Sequence, residues 1–147
     1  MRLVDPSFQP PLFERLAAGE ETVFDQDALA DSVRIELLRL LNTRRAPRPP
    51  GTALTILDYG IGDWTALQAQ RLDDRRLLTR DIRNAIQHFE PRLQLSDVDV
   101  QVAPDQPQRL RIHLNGALRS GTRHWPVTFI LEDLADIWEV RHERLDR

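Results

Sequence analysis

The chain has 147 residues, of which 41% are hydrophobic and 29% charged, with a net charge of −3 and no cysteine. That length and balance predict one globular domain over residues 1–147, large enough for a real core. The missing cysteines exclude disulfides and thiolate metal sites, and the acidic balance argues against nucleic acid as a main partner, because phosphate binding needs a basic surface.

All 20 basic residues are arginine, a bias that a GC-rich genome produces and that also suits protein interfaces. No apolar run approaches the roughly 18 residues that span a bilayer. The opening MRLVDPSFQPP has no apolar signal core, so secretion and membrane insertion are not expected and a cytoplasmic location is.

Residues 1–24 read as an irregular lead with Pro6, Pro10 and Pro11 and a short helix around Leu12–Ala18. A helical pattern follows from about Asp27 to Asn42, with Leu29, Val33, Leu37, Leu40 and Leu41 on one stripe and Asp25 or Asp27 placed to cap its start. It ends at Asn42-Thr43-Arg44-Arg45, before the extended connector Ala46–Gly51. Leu54, Ile56 and Leu57 suggest a short extended segment before Asp58-Tyr59-Gly60, and Asp63 a cap for a short helix through Trp64, Leu67 and Ala69. The second long helix runs from Asp73 or Asp74 to Phe89, with Leu77, Leu78, Ile82, Ala85, Ile86 and Phe89 in half of its circumference.

After Pro91 the apolar period changes to two. Val98, Val100 and Val102 mark one strand and residues 103–108 a turn. Leu110, Ile112, Leu114, Gly116 and Leu118 keep one parity, which favours a single long strand with a glycine kink over a tight turn at Asn115-Gly116. Trp125, Val127, Phe129 and Leu131 give a third strand, residues 133–136 a turn, and Trp138 and Val140 a fourth strand. Helices followed by a meander predict an α+β domain, N-terminal helices on one face of a mostly antiparallel sheet of about four strands.

Signs of catalysis are absent. Glu90 with Asp97 or Asp99 is the one carboxylate pair that separates into acid and base roles, but Arg92 beside Glu90 favours the ionised form, the wrong direction for a general acid. His88, His113, His124 and His142 lack metal-ligand spacing, and no serine or glycine motif for nucleophilic attack or phosphate binding occurs. No catalytic residue, metal or cofactor is therefore assigned.

The informative stretch is Phe89-Glu90-Pro91-Arg92-Leu93. Pro91 ends the helix by itself, yet opposite charges flank it, and an acid is mildly unfavourable at a helix C-terminus. In an extended segment residues two apart point the same way, so Glu90 and Arg92 can project together. Arginine forms paired hydrogen bonds, and proline lowers the ordering cost of such a knob. Glu90, Pro91 and Arg92 are therefore expected to bind protein. Asn42–Arg45 reads as a helix end with favourable cations and a polar cap, or as a surface turning Arg44 and Arg45 to a partner. Tyr59-Gly60 reads as a turn with a packed ring.

LLNTRR (Leu40–Arg45), ILDYGIGDW (Ile56–Trp64) and AIQHFEPRL (Ala85–Leu93), in that order and spacing, resemble the TssE family. TssE proteins are small baseplate components of bacterial type VI secretion systems, within the superfamily of phage baseplate wedge proteins once labelled lysozyme-like. The likeness covers roughly residues 10–142 and centres on Glu90-Pro91-Arg92. It implies a structural subunit of a wedge with TssF and TssG, near TssK, at the base of a contractile sheath docked at the inner membrane. It implies that Glu90 and Arg92 contact the wedge's helical bundle and that an edge of the 95–142 sheet accepts a strand of a sheath protein. A relative of the same fold is a regulatory anti-adaptor, which is the alternative reading, and a muramidase is the third.

Overall fold

The computed structural model describes residues 11–45, 55, 58–65 and 67–143, with the side chains of its first helix described from Asp25 onward. Two helices, α1 (Pro11–Leu41) and α2 (Leu72–Phe89), precede four strands. These are β1 (Leu93–Ala103), β2 (Gln106–Ser120), β3 (Arg123–Leu134) and β4 (Ile137–Glu143), an antiparallel meander in the order β1-β2-β3-β4. The two helices pack against this sheet, so the α+β class expected from the order of the elements is the observed one.

One boundary differs. The expected gap between a short helix at Leu12–Ala18 and a second from Asp27 does not exist, because α1 runs for 31 residues without a break. Asp25 and Asp27 are interior residues of α1 rather than caps. Gly19 is the one strong helix breaker inside this stretch, and a single interior glycine costs only about 1 kcal/mol. Pro11 opens the helix, where its missing N–H is not needed. Of the expected irregular lead, residues 1–10 lie outside the described residues.

The expected stripes form the core. Val33, Leu37, Leu40 and Leu41 of α1 and Leu78, Ile82, Ala85 and Ile86 of α2 are buried against Ile112, Leu114, Leu118, Phe129, Leu131, Trp138 and Val140 of the sheet. α1 lies over β4 and α2 over β1, so each helix covers one flank of the same sheet face. Leu77 is an exception to its stripe, being 51% exposed.

The expected short helix after Asp63 is replaced by turns. Asp63 Oδ1 accepts hydrogen bonds from the backbone N–H (3.1 Å) and hydroxyl (2.6 Å) of Thr65, and the N–H of Leu67 reaches the Trp64 carbonyl at 3.0 Å. An aspartate that bonds two residues ahead offers the backbone an alternative to helix. Leu54, Ile56 and Leu57, expected to be extended, lie outside the described residues.

β1 begins at Leu93, earlier than the valine alternation suggests, and its register slips between Leu95 and Asp97. Leu95 faces Gly116 and Asp97 faces Asn115, leaving Ser96 as the extra residue of a bulge. The bulge moves the core-facing parity from Leu93 and Leu95 to Val98 and Val100. Gly116 is strand, not turn, and its lack of a side chain is required: a Cβ there would stand 2.1 Å from the Gln94 carbonyl oxygen. The expected turn at 103–108 is shorter, since Ala103 already pairs with Gln106.

Candidate functional site at the end of the second helix

Glu90 closes α2. Its N–H bonds to the Ile86 carbonyl at 2.8 Å, and its backbone leaves the helical region at φ −135°, ψ 74°, as the following proline demands. Its side chain is 2% exposed, and it is the one buried charged residue among those described. Such a carboxylate must be paired. Arg92 pairs it across the proline, with Nε 2.9 Å from Oε1 and Nη2 2.7 Å from Oε2, while the Arg92 backbone N–H reaches Oε1 at 3.1 Å. The two charges therefore project together, as expected, but toward each other. The hydrogen bonds to Glu90 hold the Arg92 guanidinium above its ordinary pKa.

The third guanidinium nitrogen, Nη1, donates to the Ser32 hydroxyl at 2.9 Å, tying α1 to the start of β1. The Arg92 carbonyl accepts from the Arg119 N–H at 2.7 Å, which anchors the same junction to β2. Three of the five guanidinium N–H donors are thus committed. Two remain on a side chain that is 39% exposed, beside the exposed ring of Pro91.

One turn along α1 from Ser32, Glu36 bonds Arg39 at 2.9 Å and accepts the Tyr59 hydroxyl. The Tyr59 ring stands edge-on to Phe89 with centroids 5.3 Å apart. Burial and the hydrogen bond to Glu36 push the Tyr59 phenol above its usual range. Gly60 at φ 112° lets the chain pass close over Thr43, where a Cβ would meet the Thr43 carbonyl oxygen at 2.3 Å. Beside this close approach the Ile61 N–H bonds to the Thr43 carbonyl and the Arg45 N–H to the Ile61 carbonyl.

The two arginines expected to face a partner part ways. Arg45 points inward, with Nη2 2.6 Å from Asp81 Oδ1 on α2 and Nη1 3.4 Å from the Gly60 carbonyl. Asp81 also accepts the Gly62 N–H at 2.7 Å. Arg44 stays outward, half exposed, with Asp63 3.9 Å away. Sequence reasoning missed Ser32, Glu36 and Asp81. Ser32 and Glu36 lie four apart on the polar side of α1, the spacing that places two side chains on one face, but nothing local names their partners.

Among the described residues no cluster of His, Asp and Glu is arranged to hold a metal ion, and no helix is long and apolar enough to cross a membrane. The arrangement is a set of ion pairs and hydrogen bonds that fixes the junctions of α1, α2 and β1, with the guanidinium groups of Arg92 and Arg44 partly presented to solvent. No curated protein and no solved structure gives a match. The family model described as baseplate wedge protein gp25 matches residues 27–122, well over half of the chain and all of the site above, and the chain belongs to that family, which includes TssE.

Proposed function

We propose that the chain is the TssE-type subunit of a type VI secretion baseplate, a non-catalytic part that docks on TssF and TssG and supports the first sheath ring. A structural role in a baseplate, in contact with other baseplate proteins, follows from the family. The observation that carries the narrower reading is the placement of Glu-Pro-Arg within the matched region. Glu90 is spent on holding Arg92, so Arg92 offers two N–H donors in a fixed direction from a charge already balanced. Such a group is recognised by carbonyl or carboxylate acceptors with little ordering cost. Pro91 extends this contact, and Arg44, beside Asp63, offers a separate one whose loop Arg45 braces from inside.

The sheet offers β1 and β4 as edges. In the assembled machine one of them accepts a sheath strand, at the cytoplasmic side of the inner membrane and near TssK. A muramidase is disfavoured because the Glu90 carboxylate is buried and both of its oxygens are occupied by Arg92, leaving none to face a substrate.

Co-purification with co-expressed TssF and TssG from the same genome tests this reading. The informative variant is Glu90→Gln with Arg92→Gln, which removes both charges together and leaves none buried alone. Recovery of wild type and loss of a folded double variant is the expected result. Equal recovery of both would reduce Glu90-Pro91-Arg92 to a helix stop, and no recovery of wild type would overturn the assignment to this baseplate.

A further inference from the structure

Two arginines of the site face outward, and one of them is held firmly. Arg44 meets Asp63 at 3.9 Å, too far for a hydrogen bond. Arg92 is bound at all three guanidinium nitrogens: Nε (2.9 Å) and Nη2 (2.7 Å) to Glu90, and Nη1 (2.9 Å) to the Ser32 hydroxyl. The first two bonds lie along one edge of a flat, rigid group. A plate held along one edge can still rock about it, and a contact at its third corner stops the rocking. That contact comes from the interior of α1, 60 residues away in sequence.

The group that meets Nη1 is neutral, although acids stand close to it on α1. Asp31, its neighbour, is bound to Arg34 at 2.9 Å. Glu36, one turn further along, is bound to Arg39 at 2.9 Å and accepts the Tyr59 hydroxyl. A carboxylate in place of Ser32 would also hold Nη1, but it would give the Glu90–Arg92 pair a net negative charge and repel an acidic acceptor. A hydroxyl accepts the N–H and leaves the pair neutral. Ser32 is exposed, and alanine is the better helix former at such a position, so α1 itself has no need of the serine.

We infer that Ser32 is the positioning residue of the docking guanidinium: it fixes the direction of the two N–H groups that Arg92 presents, and it does so without adding charge. Arg92 is then registered against α1 as well as against α2 and β1. A carboxylate or carbonyl of a partner meets donors that need little further ordering. The inference rests on Arg92 being a docking group, as proposed above, but its geometric half can be read in the isolated chain.

The test substitutes Ser32 and leaves the buried Glu90–Arg92 pair intact. Two readouts are compared with wild type: rotation about the Arg92 Nε–Cζ bond, by NMR of the isolated full chain, and recovery with co-expressed TssF and TssG. Ser32→Ala is expected to melt close to wild type. Its Arg92 rotation should be about tenfold faster, for one lost charge-assisted hydrogen bond. Its recovery should fall about fivefold, because the ordering cost returns on binding. Ser32→Thr keeps the hydroxyl and is expected to restore both. Ser32→Asp is expected to hold Arg92 at least as firmly as wild type, yet to be recovered about fivefold less because of the added charge. Equal rotation in wild type and Ser32→Ala would overturn the positioning role whatever the partners do. Faster rotation with undiminished recovery would overturn its part in docking. A Ser32→Ala chain that melts far below wild type would make Ser32 a fold contact instead and overturn the inference. Failure of wild type to co-purify would overturn the baseplate assignment and the docking half with it, while the rotation still decides whether Ser32 holds Arg92.

Discussion

Asn42 and Trp138, 96 residues apart, exchange hydrogen bonds as if they were neighbouring strand residues. The Trp138 N–H donates to Asn42 Oδ1 at 2.8 Å, and Asn42 Nδ2 donates to the Trp138 carbonyl at 3.0 Å. One side-chain amide thereby occupies the outward backbone groups of an edge strand, while Nδ2 also reaches the Leu38 carbonyl at 2.9 Å at the end of α1. It closes part of an edge that would otherwise be a template for pairing. Asn42→Ala should cost about 2 kcal/mol, because two backbone groups beside a fully buried indole lose their partner. A thermal melt measures it, and an unchanged midpoint would mean that water replaces the amide without penalty.

Arg92→Ala leaves the Glu90 carboxylate, 2% exposed, without its counter-ion. Breaking one half of a buried pair typically costs about 3–5 kcal/mol, whereas removing both charges is far milder. The single variant should therefore unfold at much lower denaturant than wild type, and Glu90→Gln with Arg92→Gln should regain most of the difference. Equal stability of the single and double variants would show that the pair is not held as described. Any loss of partner binding by Arg92→Ala alone is thus ambiguous between docking and folding.

The register of the sheet was partly legible. Val98, Val100 and Val102 announced β1, but Leu93 and Leu95 sit on the other parity, and only the bulge at Ser96 reconciles the two. Gly116 was visible as a glycine in a strand, while its cause, the close approach of Gln94, is a contact between strands that no local pattern encodes. The site shows the same limit. Glu90 and Arg92 were conspicuous because they flank a proline, two residues apart. Ser32, Glu36 and Asp81 were not, since their partners arrive from 60, 23 and 36 residues away. The continuity of α1 is not legible locally, because Pro6, Pro10, Pro11 and Gly19 all signal breaks, while a proline in the first turn and a single interior glycine are tolerated by a helix.

Gly60 combines a positive φ of 112° with the 2.3 Å approach to the Thr43 carbonyl. An alanine there is opposed twice, by its own backbone and by a rigid carbonyl. Gly60→Ala should cost about 3 kcal/mol. Hydrogen exchange should speed up at the Ile61 and Arg45 amides, which bond around this crossing. Gly121→Ala is the control: it has φ 61° but nothing within 4 Å of a Cβ, so its loss should be the smaller.

The β3–β4 turn places two non-glycine residues at positive φ, Ala135 at 53° and Asp136 at 69°. Leu134 and Ile137 pair directly across it, so it is a two-residue hairpin turn. Such turns favour Asn-Gly, which adopts positive φ at little cost. Ala135→Asn with Asp136→Gly should raise stability by about 1 kcal/mol, measured as a higher denaturant midpoint at unchanged slope.

Tyr59 is the only tyrosine in the chain, so its ionisation can be followed by tyrosinate absorbance without overlap. Burial and the hydrogen bond to Glu36 raise its pKa from the ordinary 10.0. A raised pKa on an acid that is neutral when protonated means that the folded state favours the phenol. That contribution is complete below the unfolded value near 10.0 and is lost as the pH rises above it, because the unfolded chain releases the proton first. Tyrosinate absorbance should therefore stay flat through pH 10 in the folded chain and rise together with the loss of far-ultraviolet dichroism. Tyr59→Phe should be less stable at neutral pH, by about 1 kcal/mol for the lost hydrogen bond to a carboxylate, and its stability should fall less steeply in alkali. A tyrosinate transition near the ordinary value in a still-folded chain would show that the phenol is not bound to Glu36. In that case the loop from Tyr59 to Gly62 would still be held by the Phe89 ring contact, the Thr43–Ile61–Arg45 backbone bonds and the bond from the Gly62 N–H to Asp81.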